Sequence, residues 1–239
     1  MDVPTTVSTA LEDRPVNGAV CLEAGAGVGN TTAGLLAAGA SRVYAITNDA
    51  DHAATVEERV ASDDPDRTAV VHADLRSLPL ADDSVEIITA HGLFNVVSPE
   101  SLDAIGHELT RVAAPGCHLV VDDYEPLPDG ARMHDLFALE NAVSELATGR
   151  PALTFYPSNV LRQFFVGSGW QFDRTRTLLD PVPWTANHVR AHANVVRSLA
   201  SKLPAELGDS MVKQADSLVM AIGDESVGEM YSVAFQYVE

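Results

Sequence analysis

Hydrophobic and polar positions follow two different periods along the first half of the chain. Short runs in which most positions are apolar predict buried strands. Stretches with apolar residues three or four positions apart lie between these runs and predict helices. The predicted strands are Ala19–Glu23, Arg42–Thr47, Ala69–His72, Val85–Ala90 and His118–Asp122, and the predicted helices are Asn30–Ala38, Ala50–Val60 and Pro99–Val112. Regular alternation of this kind predicts an α/β fold with a doubly wound, mostly parallel sheet.

The second half of the chain departs from this alternation. A helix is predicted over residues 129–149, because Met133, Phe137, Val143, Leu146 and Ala147 lie near one face. The later elements are a short helix ending at Gly167, a strand Trp170–Leu178, helices over 185–203 and 205–222, and a closing strand Met230–Val238. We therefore expect a single domain, 1–239, with a seven-stranded sheet and helical insertions after strands 5 and 6, at about 126–156 and 179–228.

Three glycines follow the first predicted strand at alternate positions, Gly25, Gly27 and Gly29, and the acid Glu23 precedes them. Glycine is needed where the backbone turns with positive φ, or where a ligand approaches more closely than a Cβ allows. A dinucleotide-binding turn has glycines at its first, third and sixth positions, but the sixth position here is Asn30. The Glu-x-Gly-x-Gly-x-Gly pattern instead resembles the first motif of class I S-adenosylmethionine (SAM)-dependent methyltransferases. A glycine turn without a ligand is the alternative.

The same resemblance extends to the next two strand ends. Ala73, Asp74 and Leu75 follow the third predicted strand and are similar to the family's second motif. The resemblance implies that Asp74 accepts a hydrogen bond from the adenine amino group and that Leu75 packs on the ring. It also implies that the glycines pass under the methionine and ribose portions of SAM, with Glu23 close by.

The second predicted strand departs from the family pattern, which usually has a ribose-binding acid at this point. Here the strand ends in Thr47, Asn48 and Asp49. Thr47 or Asn48 would then bond the ribose, and Asp49 would do so if the turn is one residue longer. Alternatively, Asn48 and Asp49 only cap the helix that begins at Ala50.

Two residues are candidates for catalysis. His91 ends the fourth strand, where the resemblance implies proximity to the methionine end of SAM and to the acceptor. It would bond the cofactor or take a proton near neutral pH, or it is a structural histidine. Glu140 lies on the apolar face of helix 129–149, so it either points into the site or pairs with a nearby arginine. Asp122 and Asp123, at the end of the fifth strand, are also expected at the rim of the site.

The helical insertions are expected to pack together as a lid over the methyl group. Phe137, Glu140 and Tyr156 would line the acceptor side of this lid, with His91 opposite. Placed instead on the far face of the sheet, these helices would form a homodimer contact.

Composition limits the partners. The chain has 34 acidic and 15 basic residues, a net charge of −19, and its only lysines are Lys202 and Lys213. A strongly negative surface repels nucleic acid and anionic membranes. The favoured alternative is adaptation to multimolar salt, where charges are screened within about 3 Å and the net charge says little about partners. His188 and His192 are four residues apart but have no evident third ligand, so we expect exposed helix residues and no metal site.

The N-terminal segment Met1–Ala10 has no signal-peptide pattern and no apolar run approaches 18 residues, which favours a cytoplasmic protein. The resemblance implies transfer of the SAM methyl group by in-line displacement, with S-adenosylhomocysteine (SAH) as the product. The loop after the fourth strand lacks the Asn/Asp-Pro-Pro-aromatic motif of amino-directed nucleic-acid methylases, and the chain has no basic stripe with interleaved aromatic residues, so we expect a small-molecule acceptor. Alternatives are an RNA or protein acceptor, a protein that binds SAM or SAH without catalysis, an aminopropyltransferase, and an NAD-dependent oxidoreductase.

Overall fold

The computed structural model describes residues 3–238. Residues 1, 2 and 239 lie outside this range. The first two belong to the segment Met1–Ala10, and the last belongs to the predicted domain 1–239. The helices are α1 (Thr5–Leu11), α2 (Asn30–Ala37), α3 (Ala50–Val56), α4 (Pro99–Val112), α5 (Arg132–Thr148), α6 (Ser158–Gly167), α7 (Ala186–Ala200) and α8 (Ala205–Ile222). The strands are β1 (Val20–Ala24), β2 (Arg42–Thr47), β3 (Thr68–His72), β4 (Val85–His91), β5 (Ala113–Tyr124), β6 (Trp170–Leu179), β7 (Pro183–Trp184), β8 (Glu225–Ser226) and β9 (Met230–Tyr237).

Seven strands form one sheet in the order β3-β2-β1-β4-β5-β9-β6. The five strands β1 to β5 pair in parallel, and β9 is antiparallel to both of its neighbours, β5 and β6. The predicted fold class, a doubly wound and mostly parallel seven-stranded sheet, is therefore confirmed. The chain order reverses between β1 and β4, so the carboxyl ends of these strands border the crevice where ligands bind in open α/β sheets.

The apolar runs of the sequence form the central strands, whose side chains are buried on both faces of the sheet by packed helices. Leu22, Ile88 and Leu119 contribute to a core with α4 and α6, whereas Cys21, Val43 and Ile87 pack against α2 and the segment after α3. Strands buried on both faces read as continuous hydrophobic runs, which explains why the sequence located them.

The larger differences from the sequence prediction are two element boundaries and one additional helix. Strand β5 begins at Ala113, not at His118, because Ala113 already pairs with Val85 before an irregularity in the ladder. The helix predicted over Ala50–Val60 is α-helical only to Val56 and continues as a wider π-helical turn, Glu57–Ala61. Helix α1 was not predicted, since it has only seven residues and buries Val7, Ala10 and Leu11 alone.

Helix α1 is held to the edge strand β6 by charged groups. The Arg174 guanidinium donates to both carboxylate oxygens of Asp13, at 2.6 and 2.9 Å, and Arg176 donates to the same carboxylate at 3.0 Å. Arg14 pairs with Asp173 at 2.7 Å. These contacts hold the segment between α1 and β1 against β6, at one edge of the sheet.

Helices α5, α7 and α8 pack on one another and form what we call the helical cap. Leu139 and Val143 of α5 contact Ala193 and Val196 of α7 and Ala215 of α8 in one apolar cluster. Of the face predicted for α5, Met133, Phe137 and Val143 are buried, but Leu146 is 56% exposed because the buried face turns toward Leu136, Leu139 and Ser144. Among the helices of residues 3–238, none is long and apolar enough to cross a membrane.

Candidate functional site

A cleft of about 480 Å³ opens at the carboxyl edge of the central strands. One side is formed by the turn after β1 and the ends of β2 and β3, and the other by the loop between β4 and α4 and the last turn of α5. Its lining includes Gly25, Thr47, Asn48, Asp74, Leu75, Arg76, Leu93, Ser98, Ser101, Ser144, Thr148 and Arg150. A hollow of about 540 Å³ between α1 and α2 is larger, but it lies near the amino end of β1 and is lined mainly by aliphatic groups.

The glycine turn after β1 adopts a conformation that favours glycine at every alternate position. Gly25, Gly27 and Gly29 have φ values of 76°, 50° and 83°. A Cβ on Gly25 would meet Leu93 at 2.8 Å, and one on Gly29 would meet Val60 at 2.8 Å. A Cβ on Gly27 would meet nothing closer than 3.9 Å, so this glycine alone faces open space. Packing therefore explains Gly25 and Gly29, whereas Gly27 leaves room for a ligand.

Helix α2 begins directly after this turn without a side-chain cap. Gly29 occupies the N-cap position and provides no side-chain acceptor. The first N–H groups of a helix have no partner within the helix, and they carry a partial positive charge that suits an anionic ligand group.

Glu23, which the sequence predicted beside the cofactor, is enclosed beneath the turn and only 3% exposed. Its Oε2 accepts a hydrogen bond from the Thr32 hydroxyl of α2. Burial raises the pKa of Glu23 to about 7, although that hydrogen bond and the nearby His91 oppose the shift. The carboxyl therefore ties β1 to the start of α2 and lies under the glycine turn.

Thr47, Asn48 and Asp49, at the end of β2, differ in their contacts, which bears on whether each binds the ribose or caps α3. Asp49 is the N-cap of α3, because its Oδ1 accepts from the amides of Asp51 and His52, each at 2.9 Å. Thr47 is buried and its Oγ1 accepts from the Asp49 amide at 3.2 Å. Asn48 is exposed, and both Thr47 and Asn48 line the cleft. Asp49 is thus a capping residue, and Asn48 has the freer side chain.

After β3, Asp74 and Leu75 line the cleft as the sequence predicted, but Asp74 is already engaged. The Arg76 guanidinium donates to both of its carboxylate oxygens, the shortest contact being Nη2 to Oδ2 at 2.6 Å. This hydrogen bonding lowers the pKa of Asp74 to about 2. Sequence reasoning did not single out Arg76, although a basic residue two positions after an acid in a turn is the available signal.

The ends of β4 and β5 bring together His91, Asp122 and Asp123. Nδ1 of His91 lies 2.9 Å from Oδ2 of Asp122. Asp123 is turned to the following loop, where its oxygens accept from the amide and the side-chain amide of Asn95, both at 2.9 Å. Burial raises the pKa of Asp123 to about 6. The sequence placed all three at the rim, but it did not pair His91 with Asp122.

Glu140 is buried in the helical cap, and its partner is a histidine and not the arginine that the sequence suggested. Oε2 of Glu140 lies 2.8 Å from Nδ1 of His192, whose ring also meets Phe137 at 4.7 Å between centroids. His192 was expected to be exposed, but this pairing covers most of it. His188 is exposed as expected and shares a capping box with Thr185.

The residues predicted around the acceptor do not contribute to the lining of the 480 Å³ cleft: Phe137, Glu140 and Tyr156 on one side, and His91 opposite them. The Tyr156 hydroxyl instead donates to the Val97 carbonyl at 3.1 Å in the core under the sheet edge. The cap reaches the cleft through the end of α5, with Ser144, Thr148 and Arg150, which the sequence did not identify. Within residues 3–238, no group of three or more His, Cys, Asp or Glu side chains is arranged to hold a metal ion.

Comparison with known proteins agrees with this geometry. Residues 21–116 match a family described as a methyltransferase domain. A demethylmenaquinone methyltransferase from Clavibacter sepedonicus is 38% identical over 135 residues, which are 55% of this chain and 52% of that relative. The chain thus spans about half the length of the curated relative that it matches. The chain is therefore similar to known methyltransferases over part of its length.

Solved structures show the methyltransferase fold over nearly the whole chain. A methyltransferase-like protein from Bacillus halodurans superposes with a TM-score of 0.68 at 14% identity, covering 99% of this chain and 100% of its own. A geranyl diphosphate C-methyltransferase from Streptomyces coelicolor gives 0.63 at 13% identity, covering 97% and 77%. The cyclase SpnF gives 0.65 at 15%, covering 97% and 79%, so the methyltransferase fold also occurs in a protein named for another reaction.

Proposed function

We propose that this chain is a SAM-dependent methyltransferase that acts on a small-molecule acceptor. The observation that carries the proposal is the open space at Gly27, in the turn after β1 and two residues after Gly25, which lines the 480 Å³ cleft. A left-handed glycine whose missing Cβ would meet no protein atom closer than 3.9 Å leaves the room that a closely bound ligand requires. The same turn leads into the uncapped start of α2, and the two features together fit SAM.

The chain's own residues suit the parts of this ligand. Gly25 and Gly27 would approach its methionine and ribose portions, and Asn48 and Thr47 have polar atoms for the ribose. Asp74 would accept from the adenine amino group and Leu75 would pack on the ring. Bound SAM supplies a methyl group that its sulfonium already activates, so the protein mainly aligns the acceptor and excludes water.

The small-molecule acceptor is supported by the lining of the cleft. The end of α5 forms one side of the cleft, and the lining has no basic stripe with interleaved aromatic rings of the kind that binds nucleic acid. The helical cap therefore serves as a lid on the acceptor side through Ser144, Thr148 and Arg150. The demethylmenaquinone and geranyl diphosphate acceptors of the relatives are named for those proteins, and the present cleft does not select between such compounds.

Isothermal titration calorimetry with SAM, SAH and NAD, in 2 M KCl, tests the cofactor. SAM and SAH should bind in this titration. In a separate unfolding measurement, either ligand at 100-fold above its dissociation constant should add about 2.7 kcal/mol to the free energy of unfolding. Gly27→Val should lower SAH affinity more than tenfold, which corresponds to about 1.4 kcal/mol. Binding of NAD alone would overturn the proposal.

Gly18→Val is the matched control. Gly18 also has a left-handed φ, 80°, and no atom within 4 Å of its missing Cβ. It lies before the amino end of β1, however, at the other end of the strand from the cleft. Both substitutions therefore strain the backbone, and only Gly27→Val should weaken SAH binding. Equal losses would show that the glycine turn acts through the fold alone.

Two observations support the alternative, a protein that binds SAM without transferring its methyl group: the structural similarity to SpnF, and the ion pair that already engages Asp74 with Arg76. An assay for SAH formed from SAM distinguishes this alternative from the proposed methyltransferase. A protein that binds SAM and SAH tightly but releases no SAH with any acceptor in a broad panel would favour this alternative.

A further inference from the structure

His91 and Asp122 are brought side by side by the register of two neighbouring strands. They are direct partners across the parallel ladder between β4 and β5, so their side chains leave the sheet on the same face. The Nδ1–Oδ2 distance is 2.9 Å. Asp122 is 2% exposed, and the amide of Gly92, the next residue after His91, donates to its carbonyl at 2.7 Å. The pair is therefore fixed by backbone as well as by side chains.

The orientation of the His91 ring follows from this contact. An ionised carboxylate only accepts hydrogen bonds, so Nδ1 carries the proton that is shared with Asp122. In the neutral ring the other nitrogen, Nε2, then holds a free electron pair. Within residues 3–238 Nε2 makes no hydrogen bond, and 21% of the His91 side chain is exposed. Oδ1 of Asp122 is buried and, over the same residues, also has no hydrogen-bond partner.

The groups that face His91 favour its protonated form. Burial alone would lower the pKa of His91, but the hydrogen bond to Asp122 and the negative charges of Asp122, Glu23 and Asp123 outweigh burial and raise it. Asp123 is occupied by Asn95, which leaves Asp122 as the residue that orients the ring. A proton arriving at Nε2 would thus be stabilised by three carboxyl groups at the ends of two strands, β1 and β5.

The other buried histidine–carboxylate pair provides a contrast. His192 and Glu140 have nearly the same spacing, 2.8 Å, but they lie within the cap, where the rings of Phe137 and Trp184 surround the histidine. His91 lies instead at the end of a central strand, two residues before Leu93 of the cleft lining and next to Glu23 under the glycine turn. His91 does not itself line the 480 Å³ cleft, but the strand that carries it leads directly into the cleft lining, whereas His192 and Glu140 lie between helices of the cap.

We propose that Nε2 of His91 accepts the proton of an acceptor hydroxyl or amine, and that Asp122 is the positioning residue that holds the ring. The inference rests on the proposed function and narrows it to acceptors whose nucleophilic atom must lose a proton. In the step, the acceptor O–H or N–H bond breaks, its electron pair stays on the heteroatom, and the proton binds to Nε2. That pair forms the bond to the SAM methyl carbon while the carbon–sulfur pair stays on sulfur, and the imidazolium later returns its proton to water.

Nuclear magnetic resonance of protein with ¹⁵N-labelled histidine rings tests the pair directly, with and without SAH. The His91 signals are assigned by their loss in His91→Gln. Neutral His91 should carry its proton on Nδ1. Asp122→Asn should lower the measured pKa of His91 by about one pH unit or more, and Asp122→Glu should restore part of the difference. Asp173→Asn, which removes a carboxylate at the opposite edge of the sheet, should leave His91 unchanged.

This measurement does not depend on turnover, so its failure is distinct from failure of the proposed function. A proton on Nε2 in neutral His91, or a His91 titration that Asp122→Asn leaves unchanged, would overturn the assignment of Asp122 even where SAH binds normally. Absence of SAM and SAH binding with an intact His91–Asp122 titration would instead overturn the proposed function.

The acceptor class is tested by SAH release with phenols, hydroxy acids and primary amines, each paired with its fully O- or N-methylated analogue. Turnover should require a free O–H or N–H. His91→Gln should lower kcat by about 100-fold or more, and Asp122→Asn should lower kcat and shift the acidic limb of the pH profile, with KM nearly unchanged. Turnover of a thioether or a tertiary amine, or undiminished turnover in His91→Gln, would overturn the proposal.

Discussion

The guanidinium of Arg76 occupies both carboxylate oxygens of Asp74, with Nη2 2.6 Å from Oδ2 and Nε 3.0 Å from Oδ1. Asp74 is the residue that the methyltransferase resemblance assigns to adenine. Both side chains are about half exposed, 44% for Asp74 and 54% for Arg76, and ion pairs of this exposure are worth only about 0–1 kcal/mol. The pair can therefore open for a ligand at little cost.

Two substitutions separate the adenine role of Asp74 from its ion pair. Asp74→Ala should weaken SAM and SAH binding equally, by roughly 0.5–3 kcal/mol, because both ligands carry adenine. Arg76→Ala frees the carboxylate and should leave SAH affinity within about threefold, under about 0.7 kcal/mol. Calorimetry with both ligands checks this. If the two variants lose affinity to the same extent, the ion pair and not the Asp74 carboxylate supports the site.

The surface charge predicts that salt stabilises the protein. With a net charge of −19, self-repulsion disfavours the compact state, and raising KCl from about 0.1 to about 1 M shortens the screening length from about 10 to about 3 Å. The melting temperature should therefore rise with KCl. A variant that neutralises the exposed acids Glu58, Asp63 and Asp66 should show a shallower rise. A melting temperature that stays flat or falls would contradict the salt-adapted interpretation.

Much of the fold followed from the sequence because parallel strands bury both faces. Arg42–Thr47 was located to the residue, and Val20–Ala24 within one position at each end. Helix α1 was missed because seven residues with three buried positions give no usable period. The start of β5 was missed because Pro115 and Gly116 read as a break, although the strand pairs on both sides of them.

The sequence predicted which strand ends form the site, but it did not predict which side chains pair with each other there. Gly25, Thr47, Asp74 and Leu75 line one cleft because topology brings strand ends together. Which side chain faces which depends on register and on packing between helices. The pairing of Glu140 with His192 joins residues 52 positions apart through the contact of α5 with α7, and no local pattern encodes that contact.

The charged cluster of Asp13 and Arg14, directly after α1, with Arg174 and Arg176 of β6 predicts an acid limit to stability. Burial would raise the pKa of Asp13, but hydrogen bonds from Arg174 and Arg14 outweigh it and hold the pKa below its usual range. A lowered carboxyl pKa means that the stabilisation is present above about pH 4, the unfolded value, and is lost as the pH falls toward the folded value. Urea unfolding between pH 2 and 7 should therefore show stability declining below about pH 4.

Asp13→Asn should reduce that acid dependence and lower the free energy of unfolding at neutral pH by about 1–3 kcal/mol, because the guanidinium groups of Arg14, Arg174 and Arg176 lose their shared carboxylate. Asp209→Asn is the control. Asp209 is an exposed acid on α8 without an ion pair in the described part of the chain, and its loss should change stability by about 0.5 kcal/mol or less. Equal effects of the two substitutions would show that overall charge, and not the cluster, sets the acid limit.

The last prediction concerns Glu140, for which the sequence and the structure suggest different roles. Catalysis by Glu140 predicts that Glu140→Gln lowers turnover and leaves stability unchanged. Its buried contact with His192 predicts instead a loss of about 1–3 kcal/mol in the free energy of unfolding, with SAH affinity within about twofold. His192→Ala should cost more, about 3–5 kcal/mol, since it leaves a buried carboxylate without its partner. Urea unfolding and SAH calorimetry of both variants decide between the roles, and a stable Glu140→Gln protein with reduced turnover would return Glu140 to the acceptor side of the cleft.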